Sequence, residues 1–427
     1  MRQALILTTL DIASRQNNRE HHAIAALASR VERLVVVYRR RGLEGGSALA
    51  GAPPRIETRA GVTYVGVTPP LTPREGLARD LTAVRRRGAA ALALGLDGLG
   101  VLRDIATILA LRRAAARALA PRLGPALCEA FGPWAVTAAL PLRRAGRIGR
   151  LVYVDRDYEP GFMATAPRRL WAARIERHAA ARADLTLSIG ARLAARFADV
   201  PGARVALSPT GVDAARFRPR LRALPEPHLL HLGQLAPWSG IEDLLAALPR
   251  IAPPPAGLRL TLIGPAEPGY AARLRGLITA AATPHLRIDW PGEIARDEVP
   301  GVLDRAGIGF AVFRPVPLRC HAAPLKVLEY FAAGLPVLAL EGSEAGDLVA
   351  ATGTGRLAPC TPEGIAAAVQ ALLADAGGYA AASARGPEVA RGHDWARVMA
   401  AEWERIGAPL GAEPHLRAAG PVGLAEG

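Results

Sequence analysis

Short apolar and β-branched runs alternate along this chain with longer stretches of helical period, the pattern of parallel α/β sheets. The alternation forms two series. In the first, strands are predicted near residues 4–10, 34–38, 62–67, 151–154, 185–189 and 205–208; in the second, near 228–233, 258–264, 286–290, 308–313 and 336–340. Between them, residues 218–227 hold too many prolines for a regular element and read as a linker. Two doubly wound, Rossmann-like domains are therefore expected, at 1–218 and 219–393, followed by a closing helix at 394–407. Residues 408–427 are rich in Gly, Ala and Pro without apolar period, which predicts a disordered tail. Sheets of this kind bind ligands beyond the carboxyl ends of their strands, so a cleft between the two domains is the expected site.

Composition narrows the function classes. The most apolar region, residues 89–111, is broken by Asp97, Arg103 and Asp104, and no run reaches the roughly 18 residues of a spanning helix. The opening MRQALILTTL is too short for a signal sequence and reads as the first strand. Cys128, Cys320 and Cys360 are an odd number without metal-ligand spacing, so a reducing cytoplasm is expected, with neither disulfides nor a metal site. Charge is uneven: residues 1–221 carry 36 Arg against 17 acids, whereas 222–427 carry 17 basic residues against 21 acids. A basic half suits a polyanion. Nucleic acid ranks low, because aromatics are 5% of the chain and no zinc-finger or stacking pattern is present. Residues 74–122 alternate arginine clusters with apolar runs, which fits either an anionic membrane surface or helices packed on a sheet with arginine toward water.

Of the 53 basic residues, one is lysine: Lys326, in Cys320-His-Ala-Ala-Pro-Leu-Lys-Val-Leu-Glu-Tyr-Phe-Ala-Ala-Gly334. Its survival points to a task that a planar guanidinium does not fill, the alternative being chance at a solvated helix start. The surroundings favour the task. His231-Leu-Gly-Gln-Leu-Ala-Pro-Trp-Ser-Gly240, Leu260-Thr-Leu-Ile-Gly-Pro265, Trp290-Pro-Gly-Glu293 and Pro324-Leu-Lys-Val-Leu-Glu-Tyr-Phe-Ala-Ala-Gly-Leu-Pro-Val-Leu338 occur in that order, preceded by Ser208-Pro-Thr-Gly-Val-Asp-Ala-Ala-Arg-Phe-Arg-Pro219. From about residue 150 to 406 this order resembles the GT-B glycosyltransferases of the GT4-like group. The pattern P-x-K-x-x-E-Y-x-A-x-G-x-P-V looks closer to bacterial capsule, teichuronic-acid and xanthan-type transferases. The first 140 residues resemble the family in pattern alone.

The resemblance implies a GT-B fold, two Rossmann-like domains facing each other across a cleft with the C-terminal helix returning to the first. It implies sugar transfer from a nucleotide donor, UDP or GDP, without a metal or further cofactor. Lys326, at a helix start behind Pro324, would meet the leaving phosphate together with backbone amides. Glu329 shares its helix face at i+3 and would accept the ribose hydroxyls. Gly233, Gly264 and Gly292 end apolar runs where a missing Cβ admits a ligand, and Gln234, Glu293 and His321 complete the donor set. Gly334 reads as a helix C-cap. The chain departs from the family where Gln234 and Ser239 replace two cations of its phosphate clamp, and where His321 replaces the first acid of its Glu-x7-Glu pair.

In the first domain, Asp155, Asp157 and Glu159 end a predicted strand, where such sheets bind ligands. An inverting transfer needs a general base, with Asp157 the first candidate and Asp155 the second. A retaining one leaves them to position the acceptor, and helix capping is the plainer reading. Glu129 stands where relatives place a sugar-contacting histidine. The polar loop at 11–22 offers Arg15, Asn17, Asn18 and Arg19 for an anionic acceptor or the donor phosphate, or is a solvated turn. The protein expected is a cytoplasmic glycosyltransferase, peripheral to the inner membrane, serving a lipid-linked or surface-glycan acceptor. Its basic first domain would meet anionic lipid and its second the nucleotide. A catalytically degenerate scaffold in a glycan-assembly complex and a sugar-nucleotide epimerase of the same fold are the alternatives.

Overall fold

The computed structural model describes residues 2–13, 19–40, 51–72, 90–163, 165–255, 257–314, 316, 320–322 and 325–408. The chain divides into two compact units, one of Met1–Ser208 with the segment from Met399, the other of Pro209–Val398.

The strands of the first unit are β1 (Gln3–Thr8), β2 (Arg33–Arg39), β3 (Ala52–Arg59), β4 (Val62–Thr68), β5 (Ala126–Phe131), β6 (Ile148–Asp155), β7 (Leu185–Ser188) and β8 (Val205–Leu207). They form one sheet in the order β3-β4-β2-β1-β5-β6-β7-β8, parallel throughout except for β3 with β4. Helices α1 (Arg19–Ala28), α2 (Ala90–Ala118), α3 (Pro133–Arg144), α4 (Ala166–Arg182) and α5 (Ala191–Ala195) lie between them. Strands buried on both faces read as continuous apolar runs, and β1 and β5 are buried along their whole length. Leu5, Leu7, Val35, Val37, Cys128 and Leu151 meet Leu111 of α2 and Ala135, Ala139 and Leu142 of α3.

Two of these strands lack the expected signal. The central β5 reads ALCEAF, with no β-branched residue and a carboxylate inside it, and the edge strand β3 carries Pro53 and Pro54. Of the arginine-rich region, residues 74–89 lie outside the described residues. The remainder is covered largely by one long helix, α2, whose Leu111, Ala114 and Ala115 are buried in the core while Leu99, Leu102 and Ile105 remain 53%, 55% and 41% exposed. Among the described residues no single helix is long and apolar enough to cross a membrane.

In the second unit β9 (His228–Leu232), β10 (Leu258–Ile263), β11 (Leu286–Gly292), β12 (Ile308–Ala311), β13 (Val337–Leu340) and β14 (Gly355–Ala358) form a parallel sheet in the order β11-β10-β9-β12-β13-β14. Its helices are α6 (Ile241–Ala247), α7 (Ala271–Ala281), α8 (Val299–Arg305), α9 (Leu325–Ala332), α10 (Glu344–Thr352), α11 (Pro362–Ala374) and α12 (Ala376–Gly392). Alternation splits the strands between two cores. Leu229, Leu260, Leu262, Phe310 and Leu338 pack on Leu244, Ile365 and Val369; Leu230, Leu232, Ile263 and Val337 pack on Leu303, Val327 and Phe331.

The linker has no regular element but is firmly held. Buried Arg222 donates to the carbonyls of Leu303, Asp304 and Ala306 at the end of α8, of Ala333 and Gly334 at the end of α9, and of Arg220, at 2.8–3.2 Å. One guanidinium thereby serves the carbonyl ends of two helices, where cations are favoured. The last helix, α13 (Trp395–Gly407), returns to the first unit, where Arg150 donates to the carbonyls of Ala408 at 2.7 Å and Arg405 at 3.4 Å.

Candidate functional site

In the second unit, glycines occupy the carboxyl ends of β9, β10 and β11. The Gly233 amide donates to Ile263 O at 2.9 Å and the Gly264 amide to Gly292 O at 2.7 Å. A Cβ on Gly264 would stand 2.1 Å from Gly233 O, so the backbone itself requires that glycine. At Gly233, φ is +125° and a Cβ would come within 3.6 Å of Lys326 Nζ.

Beside this ladder β9 and β12 pair only at Ile308 with Leu229 and at Gly309 with Leu230, and α9 fills the gap beyond. The fully buried Tyr330 accepts from the Leu232 amide at 2.9 Å and donates to Phe310 O at 3.4 Å. One turn earlier on α9, Lys326 Nζ donates to Leu232 O at 2.8 Å and lies 4.4 Å from the centroid of the Phe313 ring. Lys326 and Tyr330 thus grip both backbone groups of the last residue of β9. The ammonium is fixed where strand order reverses, with β10 on one side of β9 and β12 on the other. His231, buried on β9, is held well below its ordinary pKa by burial and by the Lys326 charge, and stays neutral.

Glu329 is partly buried; burial raises its pKa, while Arg296 and Arg216 oppose the rise. Arg216, at the end of the 3-10 turn Ala214–Arg216, donates to Arg296 O at 3.2 Å. Two guanidinium groups therefore stand near Glu329. Sequence reading missed both: Arg216 lies inside the family-like segment 208–219, but no spacing connects it to Arg296. Gln234 and Glu293 are exposed. Ser239 is buried, its hydroxyl donating to Ala236 O at 2.7 Å, so it closes a local turn. His321 is partly buried with Nδ1 3.2 Å from Cys320 Sγ. Pro324 lies outside the described residues. Gly334, at φ +66°, ends α9 as a C-cap, with Leu335 N donating to Tyr330 O at 2.9 Å.

In the first unit, Asp155 is fully buried at the end of β6. Its oxygens accept from Tyr153 at 3.2 Å, Ser188 at 2.9 Å and Arg196 at 3.0 and 3.1 Å, and burial pushes it up to about 6 against the pull of Arg196. With its acceptor sites so occupied, Asp155 joins β6 to β7 and is a poor base. Asp157 is different: its side chain is 47% exposed, 3.7 Å from Arg156 Nε. Glu176 binds Arg196 at 2.6 Å and is pushed up to about 7 by burial.

Arg19 and Glu129 are built into the packing. Arg19 is buried, bonded to Glu402 of α13 and to Ser208. Glu129 is buried beside them on β5; burial, with Glu402 nearby, drives it far up, and Arg19 opposes this. Arg15, Asn17 and Asn18 lie outside the described residues. Among the described residues no three His, Cys, Asp or Glu side chains are grouped to hold a metal ion.

Residues 226–375 match the family profile described as glycosyl transferases group 1. No curated protein matches the chain in sequence. Solved structures are similar over nearly its whole length. The sucrose-phosphate synthase from Thermosynechococcus elongatus is 18% identical at a TM-score of 0.69, over 95% of this chain and 98% of that one. HepE from Anabaena, in complex with UDP, is 16% identical at 0.64, over 95% and 99%. The α,α-trehalose 6-phosphate synthase from Burkholderia multivorans is 15% identical at 0.67, over 95% and 98%. The fold is GT-B.

Proposed function

We propose that the chain is a glycosyltransferase whose second unit holds a nucleoside-diphosphate sugar. The observation that carries this is the placement of Lys326, the one lysine, clamped at the end of β9 inside the segment that matches the glycosyl transferase profile. When the bond from the anomeric carbon to the diphosphate breaks, charge builds on the phosphate oxygens, and a cation already held in place stabilises it without reorganising. Glu329 is the group for the ribose hydroxyls, and Arg216 and Arg296 beside it supply charge that Gln234 and Ser239 do not. UDP is the first base to test, since the similar HepE structure is a complex with UDP.

Acceptor binding falls to the first unit, with Asp157 as base if transfer inverts. The arginine excess there and the exposed Leu99, Leu102 and Ile105 support a lipid-linked or surface-glycan acceptor met at an anionic membrane, on its cytoplasmic face. The test is the melting temperature with UDP, GDP, ADP, TDP and CMP, for the native chain and Lys326→Ala. One diphosphate at about a hundred times its Kd should stabilise the native chain by roughly 2.7 kcal/mol and leave the variant unmoved. No shift with any nucleotide would favour the degenerate scaffold instead.

A further inference from the structure

The acids at and beyond the end of β6 are not equivalent. Asp155 and Glu176 are both held by Arg196. Glu159 gives its backbone amide to Glu176 Oε1 at 2.9 Å, but its carboxyl group has no hydrogen bond or ion pair among the described residues. Glu159 Oε1 lies 3.7 Å from where a Cβ would stand on Gly132, which joins β5 to α3 at φ +87°. The carboxyl group therefore lies over a residue that has no side chain, at the carboxyl ends of β5 and β6. That is next to the strand-order reversal of this sheet, since β1 is flanked by β2 and β5. A partly buried carboxyl group without a partner is costly, and a ligand hydroxyl would remove that cost.

We propose that Glu159 binds a hydroxyl group of a sugar acceptor over Gly132, at the carboxyl ends of β5 and β6. The proposal rests on the reading of the chain as a glycosyltransferase. The charged groups around Glu159 are Asp157 and Arg156 beside it in sequence, Glu176 on α4 and Asp104 on α2, the last two bound by Arg196 and Arg168. Burial first, then these three acids, push Glu159 up to about 8 against Arg156. At neutral pH it is mostly a protonated acid and donates to the sugar oxygen; ionised, it accepts from the sugar hydroxyl instead. The ligand class is an uncharged polyol, because a phosphate or carboxylate at this point would face three acids.

The test is equilibrium dialysis of octyl β-glucoside, below its micelle concentration, against the native chain, Glu159→Gln and Glu159→Ala at pH 6.5 and 9.5, with UDP calorimetry in parallel. At pH 6.5 the Ala variant should bind about tenfold more weakly, the loss of one good hydrogen bond. The Gln variant, which keeps a donor and an acceptor, should hold its affinity at both pH values, and the native chain, a donor when protonated and an acceptor when ionised, should bind more tightly than Ala at both. No glucoside binding by the native chain, or native affinity in the Ala variant, would each overturn the proposal. Glucoside binding in the expected pattern with no UDP binding would support Glu159 while sinking the transferase reading.

Discussion

Replacing Tyr330 with Phe removes a single oxygen and separates stability from function at the end of β9. The ring packs against Gly309, where a Cβ would stand 2.5 Å away, and phenylalanine keeps that contact. What is lost is the acceptor of the Leu232 amide, at 2.9 Å, and a longer bond to Phe310 O, at 3.4 Å. Burial pushes the hydroxyl far above its ordinary pKa, so it is a donor at any working pH. An amide left buried without a partner costs about 1–3 kcal/mol and the longer bond adds little, so Tyr330→Phe should destabilise by about 2 kcal/mol. For a unit of this size that lowers Tm by about 4–8 °C. The second effect reaches the ligand, because Leu232 also supplies the carbonyl that holds Lys326 at 2.8 Å. A strand end freed to shift carries the ammonium with it, and UDP affinity should fall about tenfold, since small displacements of a placed charge are expensive. Urea unfolding by circular dichroism and calorimetry with UDP measure the two effects. Stability within about 0.5 kcal/mol of native would refute the account of the buried amide. Lower stability with unchanged affinity would confine the hydroxyl to packing.

Arg222→Ala leaves carbonyls at two helix ends without their buried donor, and should cost about 3–5 kcal/mol in urea unfolding; a loss under about 1 kcal/mol would mean that water replaces the guanidinium. Because Glu159 is raised to about 8, the folded first unit keeps a proton that the unfolded chain releases, a stabilisation present at acid pH and lost as pH rises toward about 8. Glu159→Gln should therefore gain stability relative to the native chain between pH 5 and 8.5, and a difference that stays flat across urea midpoints there would exclude the raised value. Leu102→Asp on the exposed side of α2 should lower co-sedimentation with anionic vesicles while changing Tm little, whereas equal binding by both chains would remove this face from membrane contact.

The elements legible in the sequence are those whose burial leaves an apolar run. β1, β2, β9 and β10 are flanked by layers on both faces, and their Val, Ile and Leu runs announce them. β5 is just as central, but in so alanine-rich a chain its small residues carry no period, and Glu129 interrupts them. β14, at an edge, is four residues long and reads GRLA. Lys326 was legible through its rarity and its motif, and the tyrosine four residues on stood in the same motif without a stated task. Arg216, Arg296 and Glu159 acquire their places only by folding. The first two are brought together from segments 80 residues apart, and the third becomes distinct from Asp155 only when Arg196 is spent on its neighbours.

Arg222 also sets where the second unit begins. The family profile starts at residue 226, and a fragment cut there would omit Arg222 together with Arg220, which pairs with Glu226. The ends of α8 and α9 would then be solvent-open or bare, and α9 is the helix that carries Lys326 and Tyr330. A separately produced second unit should start before Pro219, or its failure to bind nucleotide would reflect the position of the cut and not the chemistry of the site.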